Sequence, residues 1–174
     1  MDAYRAIVTK RDTRAYAATP IPDAVLRRIL QAGRMAGSAK DAQPVRLVVL
    51  RDAKRKQELA ACGNFTEHVP ACAAAVAIVL QPEGPDADSA FAIFRGPFDA
   101  GRAAQNIMVA AWAEGITSCP ASMHDDARAR EVLGLPEGHV VANVIALGYP
   151  AEAGAGGRGN RRVSLDEYVR WERW

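Results

Sequence analysis

From residue 22 to residue 36, apolar side chains recur at Val25, Leu26, Ile29, Leu30, Gly33 and Ala36. Arg27, Arg28, Gln31 and Arg34 take the remaining positions. That 3.6-residue period predicts an amphipathic helix, with Pro22 suited to its first turn and one face packed on something large. Three other stretches lack helical period and run nearly continuously apolar: RLVVLRD at 46–52, AAAVAIVLQ at 73–81 and VVANVIALGYP at 140–150. Short runs of β-branched residues bounded by turn signals predict strands buried on both faces. ITSCP, 116–120, is expected as a short fourth strand.

Between the second and third of these runs lies FDAGRAAQNIMVAAWAEG, 98–115, apolar on nearly every face and followed by a stop at Gly115. A helix of that kind is expected inside the domain or between two copies of it. DDARAREVLGLP reads as a shorter helix, with aspartate at its start and Gly134 then Pro136 at its end. SLDEYVRWERW closes the chain. Ser164 and Glu167 have capping-box spacing, and Leu165, Tyr168 and Val169 share a face. A helix ending in Trp171 and Trp174 is expected to dock on a partner surface, its own or a neighbour's.

Composition narrows this picture without changing it. The chain has 174 residues, 49% hydrophobic and 24% charged, and one domain spanning 1–174 is expected. A formal charge of +2 offers no concentrated basic face for nucleic acid. No run approaches the roughly 18 apolar residues of a membrane span, and MDAYRAIVTK has no apolar signal core. Three widely spaced cysteines, Cys62, Cys72 and Cys119, suit a reducing compartment, so a cytoplasmic location is expected.

Candidate chemistry is sparse. Serine-hydrolase, zincin and P-loop signatures are absent, and Cys62, His68 and Cys72 lack common zinc spacing. Gly154, Gly156 and Gly159 spell a GxGxxG, but no helix or acid follows to complete a dinucleotide fold. The histidines have no close carboxylate or cysteine partner in sequence and read as structural. What remains are polar clusters at element ends. TKRDTRAY brings Lys10, Arg11 and Arg14 next to Asp12; Ser38, Asp41 and Gln43 line the loop before the first strand. Asn64 precedes the second strand, GITSCPAS follows the apolar helix, and Arg161 and Arg162 precede the C-terminal cap. Each has a solvation or capping explanation. Together they supply cations for a phosphate, with hydroxyls and amides for a polar ring edge or a sugar chain.

In sequence and in order, TKRDTRAY, AGRMAGSAKDAQPVRLVVL, FDAGRAAQNIMVAAWAEGITSCP, VIALGYP and RRVSLDEYVRWERW resemble the FMN-dependent nitroreductase family across nearly the whole chain. The resemblance implies an α+β, three-layer fold with a mostly antiparallel central sheet wrapped by helices. It further implies a homodimer with swapped terminal segments and two FMN sites at the dimer interface. Lys10, Arg11, Asp12 and Arg14 would hold the FMN phosphate and ribityl chain, helped by Arg162 and Arg161 on the phosphate. Ser38, Asp41, Gln43 and Pro44 would face the flavin and ribityl chain, and Asn64 the pyrimidine ring. Pro120, Ala121 and Ser122 would pass the flavin N5.

The implied activity is transfer of a hydride from NADH or NADPH to FMN, then reduction of a small-molecule acceptor such as a nitroaromatic, quinone or enone. No side chain need act as acid or base, and no metal, nucleic acid or membrane is expected. Three positions depart from the family pattern. Asp12 stands for serine, Asp41 for asparagine and Val45 for a common tryptophan. An ionised Asp12 beside a phosphate is repelled unless Arg11 or Arg14 neutralises it. The Arg-Asp-x-Arg form also resembles the branch containing 5,6-dimethylbenzimidazole synthase, which fragments reduced FMN. A protein that only stores FMN is a third reading. The segment 81–97, where many members insert substrate-gating helices, is short here.

Overall fold

The structure, a computed structural model, describes residues 1–82, 90–152 and 162–174. Its centre is a four-stranded antiparallel sheet: β1 (Val45–Leu50), β2 (Ala74–Leu80), β3 (Thr117–Ala121) and β4 (Val140–Gly148). Spatial order is β1-β2-β4-β3, and every neighbouring pair runs antiparallel. The two inner strands are those with the most continuous apolar runs, as burial on both faces requires.

Strand alternation divides the core in two. Ala75, Ala77 and Val79 of β2, with Val144 and Ala146 of β4, share one cluster with Leu59, Ala60 and Ala129. These last come from α3 (Ala53–Ala60) and α5 (Asp126–Leu133). On the other face, Ala74, Val76 and Ile78 meet Ile145 and Leu147 under Leu26, Ile29, Ile107 and Ala111. Those belong to α2 (Asp23–Arg34) and α4 (Ala90–Ala113). The result is a helix–sheet–helix sandwich, the α+β three-layer fold expected from the sequence.

Helix α2 and α4 approach closely because Gly33 has no side chain; a Cβ there would sit 2.7 Å from Ile107 Cγ1. Helix α4 starts at Ala90, ahead of the expected Phe98, and runs through Pro97. Gly96-Pro97 reads locally as a break, yet packing on the sheet carries the helix past it. Among the described side chains of α4, only one face is fully buried in the single chain. Val109, Ala110 and Trp112 are half-buried and Phe98 is exposed.

The short helix α1 (Ala3–Thr9) is tied to α4 by a hydrogen bond from Trp112 Nε1 to Thr9 Oγ1 at 2.9 Å. After it, Asp12 and Thr13 meet the outer edge of β3, and residues 15–17 pair with the segment that follows β4. Asp12 bridges to Ser118, the Thr13 N–H donates to the Ser118 carbonyl at 3.1 Å, and the Ala17 N–H donates to that of Tyr149 at 2.9 Å. Tyr16 packs where a Cβ on Gly148 would come within 2.8 Å of its ring.

Two local expectations need correction. The C-terminal helix is a single turn, α6 (Leu165–Tyr168), capped by Ser164 Oγ accepting from the Glu167 N–H at 3.2 Å. Propensity cannot sustain a longer helix without a packing face, and almost all of 162–174 is exposed. Helix α3 is not among the expected elements, although Asp52 caps it by accepting from the Arg55 N–H at 2.9 Å. Its charged run AKRKQELA disguises a helix that buries Lys56 and Leu59. The glycines 154, 156 and 159 and Arg161 lie outside the described residues, as does 83–89 of the 81–97 segment.

Candidate functional site

Most of the anticipated residues gather around β3. Lys10, Arg11, Asp12 and Arg14 lie on the segment that follows its edge, and Pro120 and Ala121 end the strand. Ser122 and Asn64 are brought together by the loop after α3. A Cβ on Gly63 would come within 2.7 Å of the Ser122 carbonyl, and the Asn64 N–H donates to His124 Nδ1 at 3.2 Å. The Cys62 carbonyl accepts from the N–H groups of His124 and Asp125 at 2.8 and 3.0 Å, which locks the two loops.

The charges at this edge are arranged differently from the sequence expectation. Asp12 is neutralised by Lys10, whose ammonium pairs with the Asp12 carboxylate, and not by Arg11 or Arg14. The reason is local geometry. Arg11 folds back onto the end of α1, where Nη1 donates to the carbonyls of Val8 and Lys10 at 3.0 and 2.8 Å, leaving the carboxylate to the neighbouring lysine. Arg14 is exposed.

Two buried groups beneath this edge are left without partners. Ser118 Oγ and both ring nitrogens of His68 have no hydrogen-bond partner, with Ser118 1% and His68 5% exposed. Burial first, and the Arg14 guanidinium second, push the His68 imidazole below its ordinary pKa, while the nearby Cys119 backbone opposes this. Unsatisfied buried polar atoms are rare enough to mark a place where a ligand or water belongs. Ser118 falls within an anticipated cluster, but the resemblance points to 120–122 instead. His68 carries no signal in the sequence beyond its type. It reads as structural until the fold sets it beside Arg14.

The other half of the expected site is elsewhere. Ser38, Asp41 and Gln43 precede β1, the opposite edge strand. Three strand spacings separate β1 from β3, roughly 14 Å. Ser118 is level with Leu147 and Ala74, one step beyond Leu50, so the loop before Val45 also lies at the other end of the strands, roughly 20 Å away. One chain therefore does not bring its two polar halves together.

That loop is tightly built. Ser38 Oγ accepts from the Gln43 N–H at 2.9 Å, and Asp41 Oδ1 accepts from Gln43 Nε2 at 2.8 Å. Lys40, Asp41 and Gln43 all hold positive φ, 53°, 54° and 48°, which non-glycine residues adopt at a cost. Pro44 is buried, and its carbonyl accepts from the Gln81 N–H at 2.9 Å. Beside the loop is a cleft of about 590 Å³ whose lining includes Arg27, Arg34 and Arg46 together with Leu30, Leu47 and Asp99. Val45 also lines it, a smaller side chain than the tryptophan common in the family. Arg162 is exposed. Among the described residues, no group of three or more His, Cys, Asp or Glu side chains could hold a metal ion. No described helix is long and apolar enough to cross a membrane.

An antiparallel sheet sandwiched by helices, with a cationic β3 edge and a strained polar loop at the other, defines a protein class that comparison identifies. The family model described as Nitroreductase family matches residues 7–149, and the chain belongs to that family. A Thermus thermophilus protein named NADH dehydrogenase is 31% identical over 98% of this chain and 96% of its own length. An NADPH-flavin oxidoreductase of Vibrio harveyi is 29% identical, over 83% of this chain and 64% of that protein. Among solved structures, a Desulfovibrio desulfuricans protein in complex with FMN superposes with a TM-score of 0.84 at 26% identity, covering 100% of this chain and 98% of that one.

Proposed function

We propose that this chain is an FMN-dependent oxidoreductase. It takes a hydride from NADH or NADPH and reduces a small-molecule acceptor of nitroaromatic, quinone or enone type in alternating half-reactions. The observation that carries the reading is the β3 edge. Three cations within five positions flank a buried, unpartnered Ser118 hydroxyl, a donor set that suits a phosphate with an attached polyol. Arg14 would hold the anion, with Arg162 and Arg161 completing the clamp, and Asn64 would supply polar contact to the ring. Ser122 and the Pro120–Ala121 backbone would pass beside it. When bound, FMN supplies the hydride-accepting and electron-passing chemistry. The chain's own part is to bind, orient and exclude water.

The separation of the two polar halves supports a homodimer in which the second copy brings Ser38, Asp41 and Gln43 to the β3 edge of the first. Two features fit swapped terminal segments. Among the described residues, strand β1 has an unpaired edge beside the cleft, and the exposed tail carries Leu165, Tyr168, Trp171 and Trp174 with nothing in the single chain to cover them. Edge pairing and burial of the tail's aromatics then act together.

The purified protein is expected to be yellow, with flavin absorbance that bleaches when NADH or NADPH is added without oxygen. A colourless protein that takes up no added FMN would overturn the reading. Arg14→Ala is expected to weaken FMN binding by about 1.5–3 kcal/mol, roughly ten- to hundredfold, as for loss of a charge-assisted hydrogen bond. Titration of flavin fluorescence measures this, and a loss below about tenfold would reduce Arg14 to a surface charge. Asp12 and Asp41, which replace the family's neutral residues, favour a second reading as a protein that stores FMN. Tight FMN binding without turnover of any acceptor would select it. The fragmentation alternative has only the Arg-Asp-x-Arg pattern behind it; assaying the reduced protein with oxygen for dimethylbenzimidazole separates it from both.

A further inference from the structure

The ion pair at the β3 edge has a consequence for which flavin this chain prefers. Lys10 is well enclosed, its side chain 11% exposed against 49% for Asp12. Its ammonium also lies 3.4 Å from Met108 Sδ on α4, so it is held from two sides. Arg11 is committed to two backbone carbonyls. Of the three cations, Lys10 and Arg11 are therefore already engaged before any ligand arrives.

We propose that Asp12 competes with the cofactor's phosphate for Lys10, and so sets the preference of this chain between phosphorylated and unphosphorylated flavins. The inference rests on the flavoprotein reading above. An ammonium has three donors and can serve two acceptors, but a carboxylate and a phosphate sharing it are then forced within a few ångströms of each other. If Lys10 abandons Asp12 instead, a half-exposed carboxylate is left facing the phosphate. Either arrangement weakens binding of a phosphate and leaves binding of the ring untouched. The carboxylate is dispensable for the local fold. Asp12 bridges to Ser118 through its backbone, and its side chain has no partner other than Lys10 among those described.

The test compares two ligands that differ only in the phosphate. FMN and riboflavin are titrated by flavin fluorescence into the full-length wild-type protein, Asp12→Asn and Asp12→Ser. Asparagine preserves the shape of the side chain; serine shortens it, so agreement between the two guards against a packing artefact. Freeing Lys10 for one charge-assisted hydrogen bond is expected to tighten FMN binding by about ten- to hundredfold in both variants, with riboflavin unchanged. FMN affinity that is unchanged or weaker would overturn the proposal, as would an equal gain for riboflavin. Binding of neither flavin by the wild-type protein would overturn the flavoprotein reading itself, and this inference with it.

Discussion

Removal of residues 163–174 is expected to break the proposed dimer and, with it, to abolish retention of FMN. In the single chain this segment does almost nothing: Leu165, Tyr168, Trp171 and Trp174 are 74%, 77%, 80% and 100% exposed. If the tail were a solvated end, its loss would change stability by no more than about 0.5 kcal/mol. Docked on a second copy, each large side chain contributes about 1.5–3 kcal/mol on burial. Two tryptophans and a tyrosine, less the cost of ordering the segment, leave roughly 4–5 kcal/mol, three or more orders of magnitude in the dimer dissociation constant. The polar halves at opposite edges of the sheet then no longer meet, so flavin affinity should fall in the same variant. Sedimentation equilibrium and flavin titration on the truncated chain measure both. A truncated protein that remains dimeric and binds FMN as the full chain does would show that the tail is not the swapped segment.

Ile107→Ala should be the most destabilising single truncation along the α2–α4 contact. Ile107 is fully buried between Gly33 and the sheet, so its loss removes transfer free energy and leaves a cavity, about 2–5 kcal/mol together. For a chain of this size that corresponds to a melting temperature lower by roughly 5–15 °C, compared at fixed protein concentration because the proposed assembly would contribute to it. Gly33→Ala alone should also destabilise, by about 1–3 kcal/mol, since its new methyl would lie 2.7 Å from Ile107 Cγ1. Combined, the two changes should be far from additive, because the methyl at 33 enters the space vacated at 107. Thermal melts of the two single variants and the double variant give the coupling. Strict additivity would mean that the helices relax apart and that Gly33 does not set their spacing.

How much of the fold is legible depends on which physical signal each element carries. The inner strands β2 and β4 can be read because burial on both faces writes a continuous apolar run. Helix α2 can be read because burial on one face writes a 3.6-residue period. Helix α3 hides because its buried face is only Lys56, Leu59 and Ala60, and lysine counts as polar although its stem packs. The tail suggests a longer helix because capping signals describe a start, not a length; what ends α6 is the lack of anything to pack against. At the site, Lys10, Asp12 and Arg14 are legible as a cluster. The choice of Lys10 as partner of Asp12 is not, since it follows from Arg11 turning back onto the Val8 carbonyl.

Periodicity and local charge density are properties of neighbouring residues, so the layers and the polar clusters follow from the order of the chain. Where those clusters fall is a matter of strand pairing, which joins residues far apart in sequence. The strand order β1-β2-β4-β3 is not chain order, so the clusters around Asp12 and Ser38, both ahead of the first strand, land on opposite edges of one sheet. The orphaned His68 and Ser118 beside the first cluster exist only because burial removes water from groups that look solvated in sequence.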